Sequence, residues 1–311
     1  MLAAVSFASF ELMATKFSAT CTSQFTPISE FAPPLAAKPG QAAVLYWDWV
    51  KGIPSGRSFG SVCNGSVAQQ LGPAFAHTGL LLAAAAVLVV VFSLLLGTFA
   101  ATQAGSFLDV GLRALSYAAW AVPSFVLALM LQSVFRWAGS RYGIHWFIIA
   151  GWPEGGGRAH HLFDVVRVLV LPATALAVAF IGLHSRYLRS ALLVALSATY
   201  TTTARAKGLP ERQVVIRHAL RNSLATFLSA LLLDFGAIFG AALAIDWVFS
   251  LNGVGMLLIT EVAGLGGGDG PRFLNPYAIE TLLSAAALLV IASSFLAELT
   301  VAGLDPRVRL R

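Results

Sequence analysis

Four groups of residues in this chain have types and spacings that could do chemistry. His160, His161 and Asp164 place three metal-capable side chains within a few residues. Adjacent histidines do not share a helix face, and no second ligand cluster accompanies them, so a solvated loop explains them better than a metal site. Cys21 and Cys63, the two cysteines of the chain, fall in one proline-punctuated stretch. They would pair as a disulfide in an oxidising compartment, the other reading being two unrelated buried thiols. Asp234 interrupts an apolar run, where a charge is costly and usually faces protein or water. The fourth group is a basic island, Tyr200 to Asn222. It carries Arg205, Lys207, Arg212, Arg217 and Arg221, follows Arg186 and Arg189, and holds a single acid, Glu211.

Several chemistries have no motif here. The chain contains no Walker A sequence, no Gly-x-Ser-x-Gly, no His-Glu-x-x-His and no Cys-x-x-Cys. No catalytic activity is therefore expected of it. A membrane-embedded metal-dependent enzyme using His160, His161 and Asp164 is the alternative from a different class, and a passive channel is another. The bases are not accompanied by stacking aromatics, which disfavours nucleic-acid binding.

The elements that must position these groups follow from composition. The chain has 311 residues, 58% of them hydrophobic and 11% charged, with a mean hydropathy of +0.78. Soluble domains carry roughly 25% charged residues, and a bilayer accounts for the shortfall. Uncharged runs predict spans over Gly79–Ala101, Ala114–Phe135 with Pro123 inside it, Val168–Leu183 with Pro172 inside it and His184 extending it, Ser223–Ile245 around Asp234, and Thr281–Ala297. Gly236, Gly240 and the alanines beside them suit close helix packing. Met1–Phe17 is expected as a partial first transmembrane helix whose inner end lies upstream of the assigned start. The fold class is thus an all-α integral membrane protein of about six transmembrane helices.

The intervening segments read as loops. Residues 18–72 form an extracytoplasmic loop or subdomain, residues 73–302 the transmembrane domain with a cytoplasmic loop over 187–222, and residues 303–311 a cytoplasmic tail. Arg113 is expected on a loop. Arg136–Arg167 is expected as a polar loop whose Trp137, Trp146 and Trp152 suit an interface belt. Asp246–Tyr277 reads as a Gly-rich loop. With the island and the tail inside, eleven bases (Arg113, Arg186, Arg189, the five of the island, Arg307, Arg309 and Arg311) face three acids there (Asp109, Glu211, Asp305). The positive-inside rule then places both termini in the cytoplasm.

Within the island, Ala204 to Lys207 are good helix formers. Gly208-Leu-Pro210 breaks the helix, and Gly208 can adopt the positive φ of a helix end. A basic helix, turn and helix in the cytoplasm is a docking element for a soluble partner.

These residues resemble the cytoplasmic loop of ATP-binding-cassette importer permeases, in the dipeptide, oligopeptide and nickel branch. The similarity rests on Tyr200, on Thr203-Ala204-Arg205-Ala206-Lys207-Gly208-Leu209, and on Arg217-His218-Ala219-Leu220-Arg221-Asn222. Asp246-Trp-Val-Phe-Ser-Leu-Asn-Gly-Val-Gly255 and Leu304-Asp-Pro-Arg307 follow in the family's order. The chain departs from the pattern at Asp246 (usually Glu), Asn252 (usually Pro) and Thr226 (often Pro), and its loop Gly264–Pro271 looks enlarged. The resemblance covers roughly residues 70 to 311 and implies a type I importer permease in the bacterial inner membrane. It implies half of a translocation path for peptides, with nickel or haem as the alternative cargo. Implied partners are a second, homologous permease, two ATPase subunits that hold the ATP and Mg, and an extracytoplasmic solute-binding protein; no cofactor is implied in this chain. Thr203 to Leu209 would meet the ATPase through a coupling helix turning at Gly208, with Arg205 and Lys207 foremost. Arg217, His218, Arg221 and Asn222 would support that loop. Asp234 would line the path, near the amino group of a peptide, or else bond a neighbouring helix.

Overall fold

Lipid offers no hydrogen bonds, so each span must close its own backbone, and helices do so. The computed structural model describes residues 47, 51–52, 61–62, 65–143, 146–152, 161–262 and 276–304. Met1–Phe17, Cys21, Cys63, His160, the Gly264–Pro271 loop and the tail after Leu304 lie outside them. A two-stranded antiparallel hairpin, β1 (Ser61–Val62) and β2 (Gly65–Ser66), pairs Ser61 with Ser66 and Val62 with Gly65. The other regular elements among the described residues are helices: α1 (Val67–Thr102), α2 (Phe107–Ala121), α3 (Ser124–Tyr142), α4 (His161–Ser197), α5 (Thr199–Ala206), α6 (Glu211–Leu233), α7 (Phe235–Phe249), α8 (Val254–Val262) and α9 (Pro276–Leu304).

These elements divide into two compact units. One comprises the chain up to His77 together with Asn252–Leu288, and contains the hairpin and α8. There His77 Nδ1 lies 3.2 Å from the Asn252 carbonyl. The other comprises Thr78–Leu251 and Leu289–Arg311 and contains α2 to α7.

Within the larger unit α4 is the central helix. Its 35-residue apolar stretch, Phe163–Ser197, has a most apolar window that is 61% buried, against 22% for α1. Leu176, Phe180 and their neighbours on α4 pack with Leu81, Ala85 and Val89 of α1, Ala128 of α3, and Ile238, Ala242 and Ile245 of α7. A second cluster, one end further along α4, joins Leu188 and Leu192 to Ala101 of α1 and to Ala219 and Phe227 of α6. Outward-facing residues such as Val87, Leu95 and Leu115 are exposed and apolar, as lipid contact requires and water does not favour. By length and composition, α1 and α4 each cross a membrane. The pairs α2–α3 and α6–α7 would each do so as a bent span.

The bends correct two straight spans expected from the sequence. Val122 takes φ −84° and ψ 120° ahead of Pro123, because proline excludes the helical conformation from the preceding residue. The chain turns there by 92°, so Ala114–Phe135 is two helices rather than one. The second bend, of 50°, falls between α6 and α7. Asp234 therefore occupies a helix break and not the middle of a continuous helix.

Other boundaries also move. Helix begins at Val67, ahead of the expected loop end at Gly72, and Arg113 lies inside α2 rather than on a loop. The Arg136–Arg167 region is helical to Tyr142, where Gly143 (φ 68°) ends α3, and again from His161. Trp137 and Trp146 are exposed as a belt requires, but Trp152 packs against the core. Asp246 lies inside α7, buried, and α8 occupies part of the expected Gly-rich loop. Asn252 has φ 55°, a left-handed conformation closed to proline, so the family's usual residue would not fit this turn.

Helix α4 passes close to α2 because Gly182 has no side chain. A Cβ there would meet the Ser116 carbonyl at 2.6 Å. Gly182→Ala is expected to force these helices apart and to cost about 2 kcal/mol, read as a lower unfolding midpoint in detergent; an unchanged midpoint contradicts this packing.

Candidate coupling site

Helix α4 ends at Ser197, and its last carbonyls have no partner within the helix. The island supplies those partners. Thr201 is fully buried, and its one hydroxyl hydrogen is within reach of the α4 carbonyls of Leu196 at 3.0 Å and Ala195 at 3.1 Å and of the Ala198 carbonyl that caps α5 at 2.7 Å. Arg205 donates from Nη1 to the Leu196 carbonyl at 3.0 Å. Helix α5 is therefore seated on the end of α4 by polar bonds, with Ala204 as its buried apolar contact.

The turn after α5 is set by Gly208, at φ 77°. Its N–H donates to the Arg205 carbonyl at 2.9 Å, and the Leu209 N–H donates to that of Ala204 at 3.3 Å. Pro210 stands before the first residue of α6, a position where its missing N–H costs little. Arg205 then closes the turn, donating from Nε to one oxygen of Glu211 at 3.0 Å and from Nη2 to the other at 2.7 Å. This pairing raises the guanidinium pKa above its usual value. At the far ends of the island, Asn222 donates to the Tyr200 hydroxyl at 3.2 Å, which joins α5 to α6.

The sequence-predicted residues thus separate into roles. Thr202, Thr203, Ala206, Lys207 and Gly208 are exposed, and Leu209 is half-buried. Arg205 is partly exposed but already engaged three ways, so its first work is to brace the turn. Arg217 and His218 lie in a π-helical stretch, Val214–Leu220, that turns Val214, Val215 and Ala219 inward. Arg217, Arg221 and Asn222 remain exposed. The expected loop over 187–222 starts late, since Tyr187 to Ser197 belong to α4.

Two charged contacts were not foreseen. Asp109, fully buried, receives Arg189 at 2.6 Å on each carboxylate oxygen, with Arg113 3.6 Å away. It also accepts the Gly105 N–H, while the Ser106 hydroxyl accepts the Asp109 N–H. The Ser106-x-x-Asp109 spacing ahead of an apolar run was a readable helix-start signal; Arg189, 80 residues away, was not. The second contact places His184 Nε2 3.4 Å from Asp234 Oδ2, with His184 fully buried. Asp164 forms an ion pair with Arg167 at 3.7 Å. Among the described residues, no group of three potential ligands could hold a metal.

An apolar helical bundle that seats a braced, polar helix outside its spans has the form of a membrane subunit worked from beyond the bilayer. The chain belongs to the binding-protein-dependent transport system inner membrane components, the type I permease subunits of ATP-binding-cassette importers, whose family model matches residues 93–310. Its relatives include a Brucella suis biovar 1 protein to which a peptide-permease role is ascribed, 31% identical over 260 residues and covering 81% of this chain and 73% of that protein. The oligopeptide transport system permease protein AppB of Bacillus subtilis is 28% identical over 273 residues, 85% of this chain and 80% of its own length. The di/tripeptide transport system permease protein DppB of Pseudomonas aeruginosa is 30% identical over 241 residues, 70% of this chain and 66% of its own.

The buried Asp109–Arg189 pair gives a direct test. Arg189→Ala leaves a carboxylate covered and without its main partner, and is expected to cost on the order of 3 kcal/mol. The double change Asp109→Leu with Arg189→Leu is expected to recover part of that loss, measured by unfolding in detergent. A double variant less stable than either single change would contradict this account.

Proposed function

We propose that this chain forms half of the translocation path of a peptide importer. A second, homologous permease forms the other half. Two ATPase subunits hold and hydrolyse ATP, and an extracytoplasmic solute-binding protein delivers the peptide. Both termini face the cytoplasm. The peptide cargo is supported by relatives named for peptide, oligopeptide and di/tripeptide transport.

The observation that carries the coupling role is the seating of α5. A helix that drives transport must pass force to the bundle without folding over, and α5 meets the end of α4 through Arg205, bonded to the Leu196 carbonyl, and through Thr201, within bonding distance of the same carbonyl. Its exposed face, with Thr202, Thr203, Ala206 and Lys207, is free to enter a groove on an ATPase. When the two ATPases close on each other, that face moves and α4 moves with it. Alternating access then follows as a largely rigid displacement of helices.

Gly208 supplies the test. At φ 77° a β-branched side chain is strained, so Gly208→Val should displace the turn without touching the spans. In proteoliposomes holding the assembled transporter, peptide uptake is expected to fall by about tenfold or more while ATP hydrolysis persists. Uptake at the unmodified rate would overturn the role of this turn.

A further inference from the structure

A cavity of about 620 Å³ lies between α4 and α6. Its walls are mostly small or hydroxyl-bearing, with Ser190, Ala191, Thr226 and Ala230 among them. Tyr200 and Asn222, the bonded ends of the island, lie along it, and Asp234 is its one charged lining residue. From Asn222 to Asp234 the helix rises about 18 Å, whereas an extended tripeptide spans about 10 Å. The cavity thus has room for a short peptide beside a single carboxylate.

The state of that carboxylate limits what it can bind. Its Oδ2 is buried and faces His184 Nε2 at 3.4 Å, while the side chain as a whole is 32% exposed. With Oδ2 covered, Oδ1 is the carboxylate oxygen left for a ligand. His184 is held in place because its Nδ1–H donates to the Phe180 carbonyl at 2.9 Å. Among the described residues no Lys or Arg pairs with Asp234. One available oxygen suits a single N–H donor from a cation. It does not suit a guanidinium, which binds best across both oxygens of a carboxylate. A divalent metal would need further ligands, and the lining offers no second carboxylate and no histidine.

We infer that the cavity between α4 and α6 takes the terminal ammonium group of a peptide in transit, with Asp234 as its counter-charge. This rests on the peptide-importer reading above and adds to it the group of the cargo that this chain recognises. The ammonium exchanges part of its water shell for Oδ1. No proton transfer or covalent step is involved.

The test compares trialanine with N-acetyl-trialanine in proteoliposomes containing the assembled transporter and saturating binding protein loaded with either peptide. The unmodified transporter is expected to move trialanine faster. Asp234→Asn is expected to shrink that preference by about tenfold, Asp234→Glu to keep most of it. Ala230→Lys places a competing ammonium one helical turn before Asp234, and is expected to shrink the preference even if Asp234→Asn fails to assemble. ATP hydrolysis by each complex reports assembly. A preference unchanged in both Asp234→Asn and Ala230→Lys overturns the inference, as does an equal fall for both peptides in Asp234→Asn and Asp234→Glu. If the unmodified transporter hydrolyses ATP but moves neither peptide, the peptide reading itself fails, and this inference with it.

Discussion

The carbonyls at the end of α4 are the constraint on which the rest of the site depends. A helix leaves its final carbonyls unbonded, and near a membrane surface they need donors from somewhere. In this chain the donors come from α5. Arg205 bonds the Leu196 carbonyl at the end of α4, with the Thr201 hydroxyl beside it, and this fixes the position of the following helix. Arg205 also grips Glu211 across the Gly208 turn. One guanidinium thus ties together the end of a span, the exposed helix and the start of the next span. A displacement of α5 cannot be absorbed locally without breaking several of these bonds together.

The same helix carries the displacement inward. Helix α4 lies in both apolar clusters of its unit, and close approach at Gly97 and Gly182 brings it against α1 and α2. Arg189 holds it to the start of α2 through Asp109, which is also bonded to the Gly105 turn. Charges inside a membrane domain are expensive unless paired. Here buried Asp109 has Arg189 as a basic partner on another helix, and half-buried Asp234 faces His184. The polar contacts therefore join elements that the apolar packing alone would leave free to slide.

Much of this could be read in the sequence, and the unread part has physical causes. The all-helical class followed from composition, and the helix, turn and helix of the island followed from Gly208 and Pro210. What failed was geometry that depends on distant residues. Pro123 was recognised, yet a tolerated kink and a 92° turn have the same local sequence. Asp234 stood out as a charge, but its place at a helix break depends on how α6 and α7 pack. The resemblance turns Arg205 toward a partner, and in this chain its hydrogen bonds also reach back to Leu196 and Glu211. Asp109 and Arg189 read locally as cytoplasmic-side charges, since nothing local in either says that they meet.

The central claim is that α5 is a rigidly seated helix whose outer face meets an ATPase. Photo-crosslinking tests it most directly. A photoreactive side chain would be placed at Thr202 or at Lys207, both exposed on α5, and, for comparison, at Val194 on the exposed side of α4. In the assembled transporter, positions 202 and 207 are predicted to form covalent adducts with the ATPase subunit, and position 194 is predicted not to. Adducts with the ATPase from position 194 alone, or none from either α5 position in a complex that hydrolyses ATP, would contradict the account.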